Sequence, residues 1–189
     1  MCDDGRVGFA EHLERFFPDR THAVIAPVRA DVQDLLPGFR VLRVAPGASA
    51  EPWVYATCGA AQAAGADGEG AEYVLLAPSA DAALAEMLAA LAKVNAGAEQ
   101  GLGVGSVIAL RRPWLPASFA NHLVVLPPYA FEPGFELLEE DGRRTVVLWL
   151  VPVTAAEAQF ARERGYEQLA AVFEQRSVNV ASPRRASVA

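Results

Sequence analysis

The chain has 189 residues, of which 52% are hydrophobic and 21% are charged, and its formal net charge is −7 at pH 7. This length suits one domain with a sizeable core, and this composition excludes a disordered chain. The negative charge disfavours a nucleic-acid partner, because it repels a phosphate backbone, and it favours a protein partner with a basic surface.

The cysteines and the start of the chain predict the compartment. Cys2 and Cys58 are the two cysteines, too few for a disulfide framework. Residues 1–6 are polar and acidic and lack the apolar segment of a secretory signal. The longest apolar stretch, 146–153, is too short to cross a bilayer. We therefore expect a cytoplasmic protein that makes no contact with a membrane.

The first predicted element is an amphipathic helix over 7–17. Its apolar side chains recur at helical spacing, at Phe9, Leu13, Phe16 and Phe17. His12 falls among charged residues on the other face of this helix, so we expect it to be solvated.

Turn signals and runs of apolar or β-branched residues predict the strands of the N-terminal half. They lie at 39–44, 53–57 and 72–77, and the apolar run at 22–26 is either a strand or a buried turn. Small residues and glycines at 60–70 predict an exposed loop. A helix is predicted over 81–95, where Ser79 or Asp81 caps the start and Gly97 closes the end.

A β-hairpin is the clearest local signal of the C-terminal half. Asp141 and Gly142 supply the tight turn between arms at 135–140 and 143–151. The second arm is apolar on both faces, which places it in the middle of a sheet, and Pro152 is expected to end it. Further strands are predicted at 106–110 and 122–126.

Two helices are predicted after the hairpin. Thr154 and Glu157 have the spacing of a capping box, so one helix starts there. A last helix carries Leu169 and Phe173 on one face, and the polar segment 177–189 is expected to be a tail. Together the elements predict an α/β fold of the α+β type. Its sheet is mixed and mainly antiparallel, with helices packed against it, in a single domain.

One group of residues allows an enzymatic or ligand-binding interpretation. Thr57 and Cys58 end a predicted strand, and His122 begins another. A thiol nucleophile with a histidine base requires these side chains to converge in one pocket. Because a free cysteine is usually a small core residue, we expect Cys58 to be buried and predict no catalytic residue.

Order and spacing argue against two other kinds of site. The glycines at 101–105 follow a helix and precede a strand, whereas a phosphate-binding loop follows a strand and opens a helix. His12, His22 and His122 do not have the spacing of zinc ligands. We therefore expect neither a metal nor a cofactor.

The candidate partner contacts are aromatic and acidic side chains, because aromatic residues concentrate binding energy at interfaces. Trp114 lies in a proline-rich loop and is the best candidate for an exposed anchor. Tyr129 and Phe131 are further candidates. The hairpin tip carries three consecutive acids, which we expect to form a solvated turn and part of an acidic patch that faces the partner: Glu139, Glu140 and Asp141.

The order of these segments resembles the suppressor-of-fused-like domain family in a bacterial form. The resemblance runs from about residue 22 to the end of the sequence and is carried by a succession of short motifs. They are WVYATCG at 53–59, LPP at 126–128, VLWLVPV at 147–153, TAAE at 154–157, RGYEQL at 164–169 and PRRASV at 183–188. In this reading residues 22–189 form the domain, and residues 1–21 are an N-terminal helical segment.

The resemblance implies protein binding rather than catalysis. The animal relative binds and restrains a zinc-finger transcription factor, and bacterial relatives are proposed as immunity proteins that neutralise toxins. We expect a non-enzymatic binding protein, either an immunity protein against a basic toxin or a regulatory domain that binds another cellular protein. A small enzymatic or ligand-binding domain with its pocket near Cys58 is the alternative.

Overall fold

The computed structural model describes residues 8–25, 30–63, 69–98, 101–140 and 142–189. The α-helices within these ranges are α1 (Phe9–Phe16), α2 (Ala30–Gln33), α3 (Ala82–Ala96), α4 (Ala155–Arg164) and α5 (Tyr166–Gln175). The strands are β1 (His22–Ile25), β2 (Arg40–Val44), β3 (Trp53–Cys58), β4 (Glu69–Ala77), β5 (Val107–Ala109), β6 (His122–Leu126), β7 (Leu137–Glu140) and β8 (Arg143–Val153). In the described ranges, no helix is long and apolar enough to span a bilayer.

The strands form one sheet with β8 near its centre, as the apolar sequence of β8 predicts. The strand order is β1-β2-β3-β4-β8-β6-β5, and β7 pairs with the first part of β8. Among the described strands, β4 and β8 are the one parallel pair, and the other pairs are antiparallel. The prediction of a mixed, mainly antiparallel sheet with helices packed against it in a single domain is confirmed.

The predicted hairpin is present, but its second arm is longer than predicted. Gly142 has the positive φ of 74° that a tight turn requires. Asp141 lies outside the described residues. The prediction that Pro152 ends the strand is wrong, because β8 continues to Val153 and Pro152 pairs with Leu123 of β6. Pairing with β4 ends at Leu150, so the proline has a neighbouring strand on one side alone and its missing N–H is tolerated.

The sheet separates two hydrophobic layers. Successive side chains of a strand point to opposite faces. Along β8, Leu148 and Leu150 pack into the layer under α2 and α3, whereas Val147 and Trp149 pack into the layer under α1, α4 and α5. The molecule therefore has helices on both faces of its sheet.

The predicted loop at 60–70 is shorter than its composition indicates. Residues Ala60–Ala63 form a 3₁₀ turn, and β4 begins at Glu69, so Gly70 lies inside a strand. A side chain at Gly70 would collide with the backbone oxygen of Ala61, which explains a glycine at this close approach. The middle of the predicted loop, 64–68, lies outside the described residues.

The prediction that His12 is solvated is wrong. Its side chain is 4% exposed, and its Nε2 donates a hydrogen bond of 3.0 Å to the backbone oxygen of Phe135. The imidazole ring stacks on Phe9 and on Phe135. Helix α1 therefore docks on the sheet layer through its histidine as well as through its phenylalanines.

Candidate functional site

The structure does not bring Thr57, Cys58 and His122 into one pocket. Ala56 of β3 lies level with Leu126 of β6 across the sheet, with β4 and β8 between them. Along the parallel direction of β3 and β6, Cys58 comes two residues after this level and His122 comes four residues before it. The two residues are therefore separated by roughly 20 Å along the strands, and by three strand spacings across them. These three residues therefore do not form the pocket that the enzymatic or ligand-binding alternative requires.

Cys58 also lacks the environment of a nucleophile. Its side chain is 8% exposed, as the prediction of a buried core cysteine requires. Burial, together with the neighbouring charge of Glu72, raises the pKa of the Cys58 thiol to about 11. A reactive thiolate needs the opposite shift, so the structure gives Cys58 a packing role.

Glu72 is a buried carboxyl group that the sequence analysis misses. It accepts hydrogen bonds from Thr57 Oγ1 at 2.5 Å and from the backbone N–H groups of Gly59, Ala60 and Ala61 at 2.7, 3.3 and 3.2 Å. Burial raises the pKa of Glu72, and these hydrogen bonds act in the opposite direction. Because both oxygens are used to hold the turn after β3, this carboxyl group is structural.

The glycine-containing loop at 101–105 lies between a helix and a strand, as predicted. It follows α3 and leads into β5. Gly105 donates its N–H to the backbone oxygen of Val125 at 2.8 Å, which extends the β-ladder rather than presenting a donor to an anion. Over the described residues, no three histidine, cysteine, aspartate or glutamate side chains are grouped as metal ligands would be.

Trp114 is buried, so the prediction that it is an exposed anchor is wrong. Its side chain is 5% exposed and packs into the layer under α3 with Leu115. The proline-rich loop turns back on itself, since Trp114 N donates to Ala120 O at 3.1 Å. Within the described part of the chain, the indole Nε1 of Trp114 has no hydrogen-bond partner.

The loop that contains Trp114 and the helix α3 enclose a half-open groove of about 740 Å³. One wall is the outer side of α3, where Ala83, Met87 and Ala90 follow each other at helical spacing. The other wall is the segment 110–117. The groove lies within the roughly 300–1,000 Å³ typical of binding sites, and its lining is mainly apolar.

A second surface feature is an aromatic patch that we define by Val104, Tyr129 and Tyr166. Tyr129 is 61% exposed and Val104 is 41% exposed. The ring of Tyr166 at the start of α5 lies 3.2 Å from the position that a Cβ on Gly105 would occupy, next to Val104. A hydrogen bond to Glu167 is the main cause of the raised pKa of Tyr166, and the charge of Tyr129 acts in the same direction. Tyr129 is thus exposed, as a side chain that contacts a partner must be.

Phe131 contributes to the core more than to the surface. It is partly buried and stacks on Phe135 with ring centroids 4.4 Å apart, and it meets Trp149 edge to face at 6.4 Å. These contacts belong to the layer under α1, so Phe131 supports the segment that carries Tyr129.

The acids of the hairpin lie beside two arginines of the neighbouring strand. Glu139 is exposed and Glu140 is partly buried. The register of β7 and β8 places them opposite Arg144 and Arg143, so two negative charges face two positive charges. Arg144 forms an ion pair with Glu69 at 3.4 Å. An acidic patch at the hairpin tip that faces a partner stays a prediction, and Asp141 lies outside the described residues.

The segment 177–189 is docked on the domain, so the prediction of a polar tail is wrong. Arg185 holds both oxygens of the buried Glu157 at 2.6 and 2.7 Å, and it also donates to Pro152 O at 2.9 Å. The N–H of Val188 donates to Glu157 at 3.0 Å. Although burial acts in the other direction, the arginine and the backbone donors lower the pKa of Glu157. This arrangement, which we name the C-terminal clamp, joins the end of the chain to the start of α4.

Solved structures similar to this chain support a family assignment. A suppressor-of-fused homologue from Neisseria gonorrhoeae is 26% identical, with a TM-score of 0.84, over 95% of this chain and 94% of that one. A Sufu–Fu complex contains a chain of the same fold, with 14% identity and a TM-score of 0.67 over 88% of this chain and 82% of that one. Drosophila Suppressor of Fused has 14% identity and a TM-score of 0.69 over 95% of this chain and 50% of its own length.

The sequence comparison agrees with the structural one. No curated protein matches the chain. The model of the suppressor of fused protein family matches residues 36–186, which cover most of the chain, including the central strands of the sheet and the ion pair between Arg185 and Glu157. The chain therefore belongs to the suppressor of fused protein family.

Proposed function

We propose that this chain is a non-enzymatic protein-binding domain. The aromatic patch carries the proposal, because Tyr129, which follows β6 by three residues, presents a large exposed ring, and a tyrosine side chain loses little conformational freedom on binding. Family membership supports the same reading, since a relative is found in the Sufu–Fu complex. The separation of Cys58 from His122 also favours binding over catalysis by these residues.

Site-specific photo-crosslinking in the source cell tests this proposal. A photoreactive amino acid at position 129 is expected to capture one protein reproducibly. The matched control position is Val24, which is 63% exposed on β1 at the other edge of the sheet. The proposal fails if position 129 captures no protein, or if positions 129 and 24 capture the same proteins equally.

The captured protein then allows an affinity measurement. Tyr129→Ala is expected to weaken its binding by at least about tenfold, which corresponds to ~1.4 kcal/mol. The free energy of unfolding should change by less than about 0.5 kcal/mol, because Tyr129 is a surface residue. Unchanged affinity would exclude Tyr129 from the interface.

A more specific function within this class is immunity against a toxin. The net charge of −7 favours it, since an acidic immunity protein covers a basic toxin by electrostatic complementarity. We place such a protein in the cytoplasm of a bacterial cell, where a free thiol such as Cys58 stays reduced. Co-expression with a toxin encoded by a neighbouring gene should rescue growth, and absence of both rescue and a complex would favour a regulatory partner instead.

A further inference from the structure

The outer side of α3 is apolar although it faces away from the sheet. The inner side packs through Leu84, Leu88 and Leu91, which are buried. On the outer side, Ala90 is exposed and Val94 is 60% exposed, in a helix whose charged residues are Glu86 and Lys93. A helix that is apolar all round is normally covered on both sides. The sequence of α3 therefore suits a helix that has a second contact surface.

The wall opposite α3 is rigid. Trp114 and Leu115 are each 5% exposed and anchor the segment 110–117 in the core. Backbone hydrogen bonds join Trp114 to Ala120 and Ser118 to Leu115, at 3.1 and 3.2 Å. The groove is thus formed in advance, and a ligand does not have to order the loop when it binds.

The rim of the groove has charges that select a partner. Arg111 and Arg112 are adjacent and exposed on the loop side, and no ion pair of either is found in the described part of the chain. Asp81, which caps α3, and Glu86 lie on the helix side. In a protein of net charge −7, two adjacent exposed arginines attract a carboxylate, while Asp81 and Glu86 repel one. An acidic group on a ligand is therefore directed to the loop side.

We propose that this groove binds a short apolar segment of a partner protein that has an aspartate or glutamate next to its apolar residues. The apolar side chains lie between Met87 and the Trp114 loop, and the carboxylate pairs with Arg111 and Arg112. The inference rests on the proposed protein-binding function, but the residues that line the groove are separate from Val104, Tyr129 and Tyr166 of the aromatic patch. Substitution of Tyr129 and the variants below therefore report on different surfaces.

Selection from a random-peptide display library tests the groove. The wild-type chain is expected to enrich apolar peptides with a flanking acid. Ala90→Lys should weaken the enriched peptides by at least about tenfold, because it places a charged chain in the groove while keeping a good helix former. The matched control is Ala171→Lys, an exposed alanine in the middle of α5, which should leave the affinity unchanged.

Charge reversal tests the role of the two arginines. With Arg111→Glu and Arg112→Glu together, the enriched acidic peptides should bind at least about tenfold more weakly, and a new selection should enrich basic flanks instead. That new selection also reports that the variant is folded. The proposal is overturned if no peptide is enriched, if the peptides carry no acid, or if their affinity is insensitive to Ala90→Lys or to the charge reversal.

Discussion

Three buried ionisable side chains show how single residues fix the docking of whole elements. His12 donates to Phe135, Glu72 accepts from the turn after β3, and Glu157 accepts from Arg185. Polar groups removed from water require such partners. Each of these groups therefore holds a particular junction of the fold together.

His12 makes the stability of the protein sensitive to mild acid. Burial is the main cause of its lowered pKa, with Arg15 acting in the same direction and the hydrogen bond to Phe135 and the charge of Glu136 acting against it. The unfolded chain therefore binds a proton near pH 6.5, whereas the folded chain resists protonation. Stability is retained above pH 6.5 and lost as the pH falls through the lowered folded-state pKa.

Urea unfolding between pH 7 and about pH 5 checks this expectation. The free energy of unfolding should fall with pH in the wild type and fall less steeply in His12→Leu. His122, whose pKa is also lowered by burial, is present in both proteins, so the difference isolates His12. Equal slopes in the two proteins would contradict the assignment.

The burial of His12 and of Trp114 does not follow from their sequence neighbours. Helical periodicity places His12 on the polar side of α1, but its partner Phe135 lies 123 residues away. Composition makes the proline-rich loop around Trp114 look exposed, whereas the loop turns inward to Ala120. Local patterns describe one element, and burial depends on what packs against it.

At the scale of elements, the features with local signals are predictable. Asp81 caps α3, as one of the two predicted alternatives, and Thr154 and Glu157 form the predicted capping box. The strand at 122–126 has the predicted bounds. The docking of 177–189 is not predictable, because Arg185 and Glu157 are 28 residues apart and arginine and glutamate are usually found at the surface.

The C-terminal clamp should contribute measurably to stability. Removal of residues 183–189 leaves Glu157, which is 0% exposed, without Arg185. Breaking a buried ion pair in this way is expected to cost about 3 kcal/mol, and Glu157→Gln alone should cost a similar amount. The measurement is urea denaturation, with Glu163→Ala on the exposed side of α4 as a control that stays within about 0.5 kcal/mol.

Combining the two changes decides whether the clamp is one interaction. If Glu157 acts through the C-terminal segment, Glu157→Gln in the shortened chain should add little further loss. Additive losses would show that the segment and Glu157 stabilise the fold independently.

At the scale of the whole molecule, long-range pairing creates both the sheet and the surfaces on it. The parallel pairing of β4 with β8 joins Glu69 to Arg144 and places β8 between β4 and β6. The sequence predicts a mixed sheet but not this order, because no local signal selects a distant partner strand. The groove depends on the same arrangement, since it forms between α3 and a loop that precedes β6.

The central strands contribute side chains to both hydrophobic layers, so we infer that the described part of the chain unfolds as one cooperative unit. Trp114 reports on the layer under α3, and Trp149 reports on the layer under α1. Two double variants each keep one of these tryptophans. Trp114 remains when Trp53→Phe is combined with Trp149→Phe, and Trp149 remains when Trp53→Phe is combined with Trp114→Phe. Within each variant, the urea midpoint from fluorescence should coincide with that from far-UV circular dichroism, because loss of either layer exposes both faces of β4 and β8. A fluorescence midpoint below the circular dichroism midpoint in one variant would mean that its layer opens first, and that the sheet does not couple its two faces.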